Sequence, residues 1–146
     1  MSSTVADKVK FLLMSKVIDF ANDSFKIILM QSGFTFNAGT MYGYGTAGVS
    51  SMELATANGY VVNTKTLGAA TLTEDDVSNY TTVTWANVVW TASGGPIGPT
   101  PGAIIFDDTV AVPQAKPIIG YIDFSGNQTQ ADGGTITISN IAFRIA

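Results

Sequence analysis

Three apolar runs parted by glycine and proline set the strongest limit on what this chain can fold into. They lie in TTVTWANVVWTASGGPIGPTPGAIIFDDTVAVPQAKPIIGYIDF, residues 81–124. The runs at 82–91, 103–106 and 117–124 are rich in β-branched and aromatic residues, and the Gly/Pro clusters between them do not belong inside a sheet. Short strands broken in this way predict an all-β chain. The reading is a single antiparallel β-sandwich, jelly-roll-like, of about eight strands with one or two short helices.

The 146 residues suit one domain, taken as 1–146, and are enough to bury a real core. Only 12% of them are charged, about half the usual ~25%. A surface so poor in charge loses solubility unless a partner covers part of it, which points to assembly. The net charge of −4 argues against nucleic acid, whose binding needs a basic stripe. Residues 1–30 carry Lys8, Lys10, Lys16 and Lys26 against Asp7, Asp19 and Asp23; the remainder sets Lys65, Lys116 and Arg144 against eight acids. This asymmetry either orients the molecule on a charged partner or is an ordinary solvated surface.

Cysteine and histidine are both absent. Disulfides, thiolate nucleophiles, histidine bases and zinc sites of the usual ligands are therefore excluded. No cofactor or metal site is expected. The longest apolar run, Phe11 to Met14, falls far short of the ~20 residues of a membrane span, and the start lacks a signal-peptide pattern. Synthesis and folding in a cytoplasm are the expectation.

In chain order, Val5, Val9, Leu12 and Leu13 have helical spacing, so a helix over about 6–14 is expected, with a strand over 11–17 as the competitor. Residues 25–30 read as a strand with Phe25, Ile27 and Leu29 on the core face. SMELATA at 51–57 is short enough for one or two helical turns with Ser51 as cap, and Asn58-Gly59 is a turn signal. Short edge strands are expected over 60–64 and 66–73. The acidic run 74–76 lacks the alternating spacing of a calcium loop and reads as a solvated turn. Val83 and Trp85 share one parity and Val88 and Trp90 the other, so a bulge or bend near Ala86-Asn87 is expected. A similar change near Ser139-Asn140 implies a bulge or kink there too. Residues 125–134 read as a polar loop.

Two long loops are candidates for contact. The first, about 33–50, places Phe34, Phe36, Tyr42 and Tyr44 among glycines; the second, 93–101, is SGGPIGPTP with Ile97 at its centre. Long loops with aromatics are commonly functional. Either the first loop docks on another subunit or it folds back over its own sheet. Burying four aromatics supplies roughly 6–12 kcal/mol, against an association cost of ~4–15 kcal/mol, so one arm alone is marginal and several arms of one oligomer act together. Asp107, Asp108, Asp123 and Asp132 read as turn and strand-edge residues rather than a catalytic pair. No catalytic residues are assigned, and the chain is not expected to be an enzyme. Trp85 and Trp90 read as core, with a sugar-stacking platform as the alternative.

Several segments together resemble a widespread group of tailed-bacteriophage virion proteins. They are SKVIDFANDSFKIILM, then MELATANGYVV with its E-L-x-x-x-x-G-Y pattern, a W-x-A strand, IIFDDT and PIIGYIDF, spread over about 15–138. The resemblance implies a β-sandwich cement or decoration protein on the head, a homo-oligomer whose partner is the major capsid protein. It would staple neighbouring capsid subunits on the outer surface of the virion. Other members are similar to tail, neck or fibre-associated components. A carbohydrate-binding module is the reading from a different class.

Overall fold

The structure, a computed structural model, describes residues 1–46 and 48–146; Ala47, inside the expected 33–50 loop, lies outside the described residues. Among the described residues nine strands are seen: β1 (Ser2–Val5), β2 (Phe25–Leu29), β3 (Thr71–Asp75), β4 (Tyr80–Trp85), β5 (Val88–Thr91), β6 (Ile97–Asp107), β7 (Ile118–Gln130), β8 (Thr135–Ile138) and β9 (Ile141–Ile145). One helix, α1 (Lys8–Met14), and one 3-10 turn (Ser50–Met52) accompany them. All named strand pairs are antiparallel. One sheet has the order β1-β7-β6-β2; the other consists of β3-β4-β9, continued by the pair β5-β8. The expected all-β sandwich is what forms.

The two sheets meet through large side chains. Trp85 on β4 packs its ring 5.4 Å from Phe25 on β2, and 6.3 Å from Phe143 on β9. Gly120 on β7 lies against the Phe143 ring and the Thr4 carbonyl, where any Cβ would collide. Bare backbone there lets the sheets approach.

The first sheet is covered on its other face as well. Phe106 and Tyr121 are buried beneath loop 33–50, and every residue in 102–107 and in 118–122 is buried. That continuous burial, rather than alternation, marks strands shielded on both faces. Helix α1 sends Val9 and Leu12 into the same core and leaves Phe11 and Met14 exposed. Its end is closed by Lys16 in the left-handed region, with the Val17 N–H donating to the Leu12 carbonyl at 2.9 Å.

Of the two causes expected at each site, the parity changes come from bends and not from bulges. Trp85 opposes Ile141 and Val88 opposes Ile138, so two residues intervene on each strand and the register carries through. Both strands turn at the same level, where the Asn140 N–H donates to Asn87 Oδ1 at 3.4 Å. A matched double kink swings both chains together. The register itself shifts between β6 and β7, three times along the pair and most where the one residue between Thr100 and Gly102 faces the four between Asp123 and Gln128.

Four expectations need correction. Residues 97–101 are not loop: they open β6, with Ile97 and Thr100 buried. Pro99 and Pro101 are two apart, so both missing donors fall on one strand edge, and β2 reaches only to Ala103 on β6. Residues 125–130 belong to β7, with Gln128 and Gln130 paired to β6, while their side chains stay largely in solvent. Of the edge strands expected over 60–64 and 66–73, only 71–73 form, as the start of β3; residues 60–70 are irregular, and 65–67 bond along the free edge of β2. There the Ile27 N–H donates to the Lys65 carbonyl at 3.0 Å, and the Leu67 N–H to the Phe25 carbonyl at 2.8 Å. This cover removes an open sheet edge. Last, the turn near residue 51 is a single 3-10 turn preceded by Val49, with no side-chain cap from Ser51.

Candidate functional site

The aromatic loop is folded onto its own chain. Phe34 is buried, with its ring 5.6 Å from that of Tyr121, and Phe36 stacks on the same tyrosine at 5.5 Å. Tyr44 stacks on Phe106 at 4.8 Å. Tyr42 is half-buried with the Lys8 ammonium 5.1 Å above its ring. Of the two readings open for this loop, packing on its own sheet is the one observed for these side chains. Ile97, the fifth contact candidate, is 1% exposed and belongs to the core. Trp85 and Trp90 are buried too, Trp90 beside Tyr60, so neither offers a sugar a platform.

What fastens the loop is a buried carboxylate. Glu53 accepts hydrogen bonds from the Tyr44 and Tyr60 hydroxyls, each at 2.7 Å, and from the Asn63 N–H at 2.7 Å. The Tyr60 hydroxyl in turn accepts from the Leu29 N–H at the edge of β2. Glu53 and Tyr60 are the acid and the tyrosine of the E-L-x-x-x-x-G-Y pattern. The turn between them holds Asn58 and Gly59 at φ of 53° and 93°, closed by reciprocal Ala57–Tyr60 backbone bonds. Burial and then the Glu53 carboxylate push both phenols above the ordinary tyrosine range.

A second polar cluster closes the far end of β6. Lys26 and Lys116 reach Asp108 at 3.0 and 2.8 Å. Burial works against that charge, but the two lysines outweigh it and hold the Asp108 carboxyl below its usual range. Asp107 next to it is fully buried. Its Oδ1 accepts from the Thr109 and Val110 N–H groups at 2.8 and 3.2 Å, while Oδ2 is buried without a partner. Burial pushes this carboxyl up to about 7; the two N–H donors oppose the shift and the nearby Asp23 carboxylate adds to it. Asp107 and Asp108 thus pin the turn at 19–24 and the loop after β6 rather than converging on an open cleft. Among the described residues no three metal-ligating side chains come together.

The loop does shape one open cleft. It lies between Phe34–Phe36 and the first sheet, with a volume of about 450 Å³. Its floor holds Tyr121 and Asp123, two apart on one face of β7, and its sides carry Ser2, Thr4 and Pro101. The Tyr121 phenol crosses Gly102, where a Cβ would strike its hydroxyl. Burial and the Asp123 charge raise that phenol to about 12. Sequence reasoning found Phe34 and Phe36 as a pair but not the cleft, because Asp123 looked like a strand-edge residue and nothing local links it to position 36. Compared with known proteins, the chain matches no family model, no curated protein and no solved structure.

Proposed function

We propose that this chain is a structural protein of a tailed-bacteriophage virion: a capsid cement, or decoration, protein made in the host cytoplasm. On this reading it sits on the outer shell as a homo-oligomer and joins neighbouring major capsid subunits. The observation that carries it is the ordered set of resembling segments, whose side chains hold key joints of the sandwich. Glu53 and Tyr60 fasten the aromatic loop, Asp107 and Asp108 close the end of β6, and Asp123 opens the irregularity in β7. Such joints give a rigid wedge, and rigid modules lose little freedom on docking.

A cement module works by adding buried area across a boundary that internal pressure would otherwise open. A stable contact of this kind covers roughly 1,200–2,000 Å². The low charge content and the exposed Phe11 and Met14 of α1 favour a chain that is partly covered when assembled.

A cryo-EM map of the virion tests the reading. Density for this chain is expected across capsomer boundaries, and virions stripped of it should lose thermal and osmotic stability. Density confined to the neck, tail or fibres overturns the cement role and moves the chain to those stations. Stripped virions of unchanged stability overturn it equally.

A further inference from the structure

We propose that the cleft between Phe36 and Asp123 is a receptor for one arginine side chain of an extended partner polypeptide. The inference rests on the cleft alone and does not depend on the virion reading. Its volume of about 450 Å³ falls within the ~300–1,000 Å³ typical of ligand sites.

Charge selects the ligand. Asp123 is exposed at the cleft, and its Oδ1 accepts from the Ser125 N–H at 2.8 Å, leaving Oδ2 free. Among the described residues no lysine or arginine pairs with it, since the ion pairs there belong to Asp108. A carboxylate without a counter-charge repels anions and attracts cations.

Shape excludes a sugar. A pyranose needs a broad exposed ring face, yet Phe34 and Tyr121 are each 8% exposed and Phe36 lies over Tyr121. What remains is a slot with an apolar wall and an acidic end. A slender aliphatic stem with a planar cationic head fits that order of chemistry. Guanidinium is favoured over ammonium because it meets a carboxylate with paired N–H donors. The Ser2, Thr4 and Thr35 hydroxyls line the same space and are able to accept from its remaining N–H groups.

The test is an NMR titration of the full chain, following backbone amides, with N-acetyl-arginine amide. N-acetyl-citrulline amide, its neutral isostere, and a methyl glycoside serve as comparisons. Saturable shifts are expected at 34–38 and 121–123, with arginine binding at least about tenfold tighter than citrulline and weakening as salt rises. Asp123→Asn should reduce arginine to the citrulline level while the rest of the spectrum is unchanged. Equal binding of arginine and citrulline, saturation of these residues by the glycoside, or arginine shifts centred on the acidic 74–76 turn would each overturn the proposal. An Asp123→Asn variant that binds arginine as the parent does would overturn it too.

Discussion

Replacing Asp107 by asparagine should uncouple stability from pH near neutrality. In the folded chain its carboxyl is fully buried and stands at about 7; in the unfolded chain it returns to ~3.9. Between those values the folded state holds a proton that the unfolded state has released. Unfolding free energy therefore falls as pH rises, by ~1.4 kcal/mol per unit and on the order of 4 kcal/mol in total. The contribution is complete below about pH 4 and is lost as pH climbs through about 7. The chain has no histidine or cysteine to titrate in that window. Asp108, Asp19 and Asp75 are all held below the usual carboxylate range, so they are ionised in both states across that window. Asparagine keeps the oxygen that accepts from Thr109 and Val110, and turns an amide rather than a second acceptor toward Asp23. Urea unfolding followed by tryptophan fluorescence reads the effect, since Trp85 and Trp90 are both buried. From about pH 5 to 7 the parent should lose roughly 2–3 kcal/mol and then level off. The Asp107→Asn chain should stay flat and be the more stable of the two at about pH 8. A parent profile that is flat from about pH 5 to 8, or a slope that persists in the variant, refutes the reasoning.

Two further outcomes follow from the Glu53 network. Glu53→Gln keeps the shape but removes the charge that both phenols donate to, and should cost roughly 1.5–3 kcal/mol in urea unfolding; a loss below about 0.5 kcal/mol would show that the carboxylate is not what holds the loop. In alkaline titration followed by phenolate absorbance, Tyr44, Tyr60 and Tyr121 should ionise late. Their raised folded values mean that stability is present below about pH 10 and lost above it, so the late absorbance step should coincide with unfolding. A single step near pH 10 with the fold intact would contradict this.

Much of the fold was legible in the residues because local pattern and global role agree there. Phe25, Ile27 and Leu29 form the core face that their spacing marks, and all three are buried, with Ile28 buried on the opposite, also covered, face. The Asn58-Gly59 signal makes its turn because both residues tolerate the left-handed backbone that a two-residue reversal requires. Legibility failed where the partner, not the residue, decides. Residues 125–130 are polar, yet backbone bonds to the start of β6 hold them as strand with scarcely any apolar side chain to announce it. Pro99 and Pro101 argue against a strand in any central position, and only the missing neighbour on that edge admits them.

The same logic explains the candidate site. Loop aromatics look adhesive in a sequence because their length and spacing suit neither helix nor strand, but an aromatic side chain is as valuable to its own core as to a partner. For Phe34 and Tyr44 the choice was made by residues far away in the chain, Tyr121 and Phe106, which offer ring faces, and for Tyr44 also by Glu53, which accepts its hydroxyl bond. Once those anchors hold the loop, the surface it leaves open is set by what they do not cover. That remainder is an acidic slot beside Phe36. A contact surface of this kind is written in the three-dimensional meeting of positions 36, 121 and 123 rather than in any run of residues, so its specificity comes from one carboxylate left without a counter-charge.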